Sequence, residues 1–151
     1  MAAVLAVGAT ACGKAGPSQR DYAQVLEECR PEGGKTVEIV TSPEEDSFGM
    51  LDQYGLDPEQ MERYAVSISP MNVMAYGVMI VLPAQGKEDA MKKSMQGFIE
   101  KQTATFEYYL PEQYEIAQQA LLETMPGGEL VLVMCQDPGP VMDQIKTALK
   151  S

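Results

Sequence analysis

The chain has 151 residues, enough for one domain and too few for two. Its hydrophobic fraction of 45% allows a sizeable core, so the low-hydrophobicity, high-charge pattern of disordered chains is not met. A net charge of −11, from 22 acidic and 11 basic residues, repels phosphate backbones and anionic headgroups, which disfavours nucleic-acid binding and direct electrostatic docking on a membrane.

There is no histidine, so Ser-His-Asp and Cys-His mechanisms are excluded within the chain. Cys12, Cys29 and Cys135 lack CxxC spacing, which leaves a zinc site or a thioredoxin-type motif unsupported. No cofactor is expected.

The N-terminal residues run Met1 to Ala11 without a charge and then reach Cys12. The run is too short to span a bilayer, which takes about 20 apolar residues. It resembles the end of a bacterial lipoprotein signal peptide, with small Ala9, Thr10 and Ala11 before Cys12. In that pattern the cysteine sulfur takes a diacylglycerol and the cysteine becomes the new N-terminus. Ala9 stands where such signals usually carry Leu, and the positively charged leader region is missing. A start codon placed too far downstream accounts for the second departure. The expectation is a signal peptide over 1–11, an anchor and flexible tether over 12–20, and one domain over 21–151.

Ser18 to Cys29 predicts a short helix, with Tyr22, Val25, Leu26 and Cys29 on one face. Arg30-Pro31-Glu32-Gly33-Gly34 ends it, and Lys35 to Thr41 alternates as a short strand. Ser42-Pro43-Glu44-Glu45 is a helix start with a capping box, for a helix carrying Phe48, Met50 and Leu51. Asp57-Pro58-Glu59-Gln60 starts another brief helical turn.

Tyr64 to Ser69 and Ala75 to Leu82 have strand character and are joined by Pro70-Met71-Asn72 as a hairpin. Lys87 to Tyr109 predicts the longest helix, with a stripe of Met91, Met95, Phe98, Ile99, Phe106 and either Tyr109 or Leu110. Pro111 opens the next helix, to about Ala120. Leu121 to Met125 and Glu129 to Gln136 form a second pair of strands around Pro126-Gly127-Gly128. A last helix turns Val141, Ile145 and Leu149 inward. The order β-β-α-α-β-β-α predicts an α+β domain. Its antiparallel sheet has about four strands, its helices pack on one face, and short N-terminal helices precede it.

Cys12, Tyr54-Gly55-Leu56-Asp57, Glu62-Arg63-Tyr64-Ala65-Val66 and Phe106 to Glu115, read in this order, resemble a family of bacterial lipoproteins common in Firmicutes. The family is catalogued as domain of unknown function 4358. The likeness covers Met50 to Ser151 and the Cys12 anchor, and Tyr109-Leu110-Pro111-Glu112-Gln113-Tyr114 is its closest stretch. It implies lipidation at Cys12 and carries over no catalytic residue, because the family has no established activity.

Two surface segments are candidates for recognition. Tyr108, Tyr109, Pro111, Glu112 and Tyr114 make a recognition patch if exposed and a helix-to-helix lock if buried; the lock is the simpler reading. Ser69, Met71 and Asn72 sit in the hairpin connection, where binding residues often lie. Met71, Met74 and Met79 read as core or interface fillers rather than a copper site. Glu44, Glu45, Asp46 and Asp52 lack the arrangement of a calcium loop, and a helix N-terminus explains them, so no metal is expected. Cys29 and Cys135 are expected as buried, unpaired thiols.

The leading expectation is a non-enzymatic binding or accessory module. It sits on the outer face of the cytoplasmic membrane, held through lipid on Cys12, and meets another cell-envelope protein. A carboxylate-based enzyme acting on surface glycans and a small-ligand carrier are the alternatives. The first predicts a deep pocket with two close carboxyls, the second a roomy apolar cavity.

Overall fold

The computed structural model describes residues 15–151, so the expected signal peptide and Cys12 lie outside the described residues. Helix α1 (Tyr22–Glu28) starts where the Asp21 carboxylate accepts the Gln24 N–H at 3.0 Å. It buries Tyr22, Val25 and Leu26, as its spacing predicts.

The strand expected over Lys35 to Thr41 is reduced to one bridge, between Val40 and Val66. The reason is local. The Arg30 guanidinium takes the carbonyls of Gly34 and Val37, so these groups bond a side chain instead of a ladder. The helix expected after Ser42 also breaks up. Pro43–Glu45 is a single 3-10 turn, and Gly49 enters the left-handed region at φ 66°. Helix α2 (Met50–Gln53) then restarts, with both Asp46 oxygens accepting the N–H groups of Met50 and Leu51. Phe48, expected on that helix, precedes it and is 58% exposed. Glu45 accepts mainly from the N–H and hydroxyl of Thr41, and the Ser42 side chain makes no cap bond. Those two bonds hold its carboxyl below the ordinary range.

Strands β1 (Met61–Ile68) and β2 (Gly77–Pro83) form the first hairpin, and β3 (Leu121–Thr124) and β4 (Leu130–Met134) the second. Antiparallel pairing of β2 with β4 joins them into one sheet of order β1-β2-β4-β3. Helices α3 (Glu88–Phe106), α4 (Pro111–Gln118) and α5 (Pro138–Lys150) complete the chain. The α+β class and the four-stranded antiparallel sheet are as the sequence predicts.

The helices do not share one face. Val66, Met79, Val81, Leu130, Leu132 and Met134 point into a layer with α2, α3 and α4. Ala65, Val78, Ile80, Leu82, Val131 and Val133 point the other way, into a layer with α1 and α5. Alternate residues of a strand face opposite sides. Both β2 and β4 are buried at every position, so each face needs a cover.

Gly77 lies directly under the Phe98 ring of α3. A Cβ there would lie 2.6 Å from Cε1 and Cζ of Phe98, a fully buried ring. The Gly77→Ala protein is expected to lose about 1–3 kcal/mol in urea denaturation, since overpacking forces neighbours off their rotamers. Gly97, on the same helix as Phe98, has open space around it. Gly97→Ala is expected to be neutral or to gain up to about 1 kcal/mol.

Candidate functional site

The register gives the sheet two distinct ends. Val81 and Thr124 both pair with Leu130 at one, and Gly77 pairs with Met134 at the other. Both recognition candidates lie at the Gly77–Met134 end.

The connection from Ile68 to Gly77 is closed by Ser69 N–H to the Tyr76 carbonyl at 3.2 Å. Ser69 is buried, and its hydroxyl accepts the Met71 N–H at 3.1 Å. It therefore shapes the loop through this local bond. Met71 at 58% and Val73 at 44% exposure project from the tip, with Asn72 exposed between them. The Gln113 side chain accepts the Ala75 N–H at 2.8 Å, which ties this loop to the first turn of α4.

Helix α3 passes Gly77 at Phe98 and continues for two further turns. Tyr109 and Leu110 N–H groups close its end on the Phe106 carbonyl. Pro111 opens α4, where its missing N–H costs nothing. Tyr108 is 93% exposed and Tyr109 61%. Pro111 and Glu112 are exposed, while Tyr114 packs with Leu110 and Ile116 against the core. Locking thus belongs to Tyr114 and Leu110, and Tyr108, Tyr109 and Glu112 face solvent. The Glu107 carboxylate holds the Tyr108 phenol above its ordinary range.

Between these segments and α5 lies a cleft of about 640 Å³ that the sequence does not announce. Met74 to Tyr76, Gln113 and Ile116 line one side, and Cys135 to Asp137, Pro140 and Val141 the other. Pro31 to Gly33 close it. Only the turn signals at Pro31-Glu32-Gly33-Gly34 and Asp137-Pro138-Gly139-Pro140 mark these reversals; nothing in the sequence says that they meet.

Tyr76 stiffens the wall. Its phenol lies directly against Gly34, where any Cβ would overlap it. Burial pushes the phenol up to about 12, partly opposed by Arg30, so it is neutral at physiological pH. Cys135 and Cys29 are free, buried thiols in the α1–α5 layer. Burial pushes both thiols up; the Glu28 carboxylate adds to the effect at Cys29.

A second depression, of about 550 Å³, is lined by Asp46, Asp52 and Asp57 beside Gly49 and Gly55. Asp46 caps α2, and Asp57 accepts the Glu59 N–H at 3.0 Å. The Asp46 and Asp57 carboxylates are thus engaged in holding turns. Among the described residues no group of three or more Cys, Asp or Glu can hold a metal ion, and no helix is long and apolar enough to cross a membrane.

With Cys12→Ser in place, Ellman's reagent is expected to find two thiols that react slowly in the folded protein and rapidly in guanidinium. A Cys29–Cys135 disulfide would give none in either condition.

No curated protein and no solved structure matches the chain. A family model described as Domain of unknown function (DUF4358) matches residues 39–135. The match begins upstream of Met50, where the motif likeness starts, and stops at Cys135. It spans the whole sheet with α2, α3 and α4, and leaves α1 and α5 outside. The chain belongs to the family of Domain of unknown function (DUF4358).

Proposed function

We propose that the protein is a non-enzymatic binding module, anchored by lipid on Cys12 to the outer face of the cytoplasmic membrane. Its working surface is the end of the sheet at Gly77 and Met134, and its partner is another protein of the cell envelope. One observation supports this reading above others. The solvent-facing Met71, Val73, Tyr108 and Tyr109 gather at the same end as the cleft. Scattered single apolar residues need no explanation, whereas a cluster of them beside a concavity is the usual form of a recognition surface.

A second reading, the small-ligand carrier, is favoured by the cleft itself. Its volume of about 640 Å³ lies within the range of small-molecule sites, and its walls combine Met74, Ile116 and Val141 with the polar Gln113 and Gln136.

Radiolabelled palmitate is expected to enter the wild-type protein and not the Cys12→Ala protein. Equal labelling of both would sink the anchor. For the carrier, native mass spectrometry of protein extracted from membranes should show a bound small molecule that Ile116→Trp, which fills the cleft, removes. A mass equal to that of the lipidated polypeptide alone in both would exclude the carrier.

A further inference from the structure

At the opposite end of the sheet a buried carboxylate holds the segment that leads toward Cys12. Glu129, in the turn between β3 and β4, is 2% exposed. Its Oε1 accepts the Ser18 N–H at 2.6 Å and the Tyr22 hydroxyl at 3.2 Å. Arg63 of β1 donates from Nη2 to the Ser18 carbonyl at 2.5 Å and to the Tyr22 hydroxyl at 2.9 Å. Its guanidinium lies 4.4 Å from the centre of the Tyr22 ring. Both backbone groups of Ser18 are therefore held by charged side chains from distant parts of the chain.

The segment also lies flush on the turn. A Cβ on Gly127 would stand 2.7 Å from the Gly16 carbonyl oxygen and 2.9 Å from Cα of Pro17. Taking a carboxylate out of water is costly unless it is paired and hydrogen-bonded. Here the carboxylate takes the buried Tyr22 hydroxyl of α1 and, in addition, the Ser18 N–H of a segment, Gly16 to Gln19, with no large apolar side chain to bury. Packing alone does not account for it.

We infer that residues 15–20 are a fixed strap and that the clamp on Ser18 orients the domain on the bilayer. This rests on the anchoring reading of Cys12. Ser18 is six residues from Cys12, a reach of at most roughly 20 Å at about 3.5 Å per residue. The clamp sits at the Leu130 end of the sheet, and the eight residues of β1 place the other end about 25 Å beyond it. The turn at Gly127 and Gly128 is thus held toward the lipid, and the cleft with Met71, Val73 and Tyr108 faces outward. A freely swinging tether would present both ends alike.

The test couples the full chain through the Cys12 thiol to a maleimide lipid in nanodiscs that carry spin-labelled headgroups. Paramagnetic broadening of backbone amides is expected at Gly127 and Gly128 and absent at Asn72, Val73 and Tyr108. Equal broadening at both ends, or more at the cleft end, overturns the inference. In Gly127→Ala, and independently in Arg63→Met, the contrast between ends is expected to collapse. The Ser18 amide should then exchange its hydrogen at least about tenfold faster than in the wild type. A wild-type Ser18 amide exchanging at the free-peptide rate also overturns it. Thiol coupling bypasses cellular lipidation, so loss of the contrast counts against the clamp, and loss of palmitate incorporation counts against the anchor.

Discussion

Strands β2 and β4 are buried at every position, so neither tolerates water on either side. Their antiparallel pairing, Gly77 with Met134 through Val81 with Leu130, is what turns two hairpins into one sheet. Each hairpin alone would expose an apolar strand edge and two apolar faces. Paired at the centre, β2 and β4 leave only β1 and the short β3 at the edges. The rest follows from covering two faces. The α2–α3–α4 layer supplies one cover and the α1–α5 layer the other, and neither is dispensable.

That central pairing also sets the polarity of the molecule. The β3–β4 turn falls at one end, beside the incoming strap, and the β1–β2 connection falls at the other. Helix α3 is longer than the sheet it crosses, so the turn that follows it holds Tyr108 and Tyr109 clear of the strands. Helix α4 then returns beside the β1–β2 loop, held by Gln113 on Ala75. A surface with exposed apolar tips and a cleft is thus a geometric result of helix length against strand length. The acidic residues near Asp46 and Asp57 do something separate: they terminate and restart the backbone where glycines at φ 66° break it.

The elements whose own periodicity decides them were legible. The stripe of Met91, Met95, Phe98 and Phe106 is buried as its spacing requires, and β4 reads as a strand from its apolar run. A strand apolar at every position also implies covers on both faces, where the element order alone predicts helices on one. The segment from Lys35 to Thr41 misled because alternation says nothing about a competing donor, and Arg30 removes the carbonyls that a ladder needs. Phe48 misled because Gly49 turns the chain before the helix can form. Of the two recognition segments, exposure divides the residues in a way no motif records: Ser69 and Tyr114 face inward, Met71 and Tyr108 outward. The cleft and the clamp depend on contacts across long sequence separations, such as Ser18 with Glu129, which one sequence does not reveal.

The span matched by the family model and the two ends of the chain divide the work. The sheet and its α2–α3–α4 layer lie within residues 39–135, and so do Arg63, Glu129 and Gln113. The segments on which these residues act differ in origin. Ser18 and Tyr22 precede the span, as do Pro31 to Gly33 at the cleft, and Asp137, Pro140 and Val141 follow it. Helices α1 and α5 therefore do more than cover the second face. One brings the strap to the clamp at the Leu130 end, and the other builds a wall of the cleft at the Met134 end. A sheet that needs covering on both faces thereby recruits the elements that define where the chain is held and where it is open.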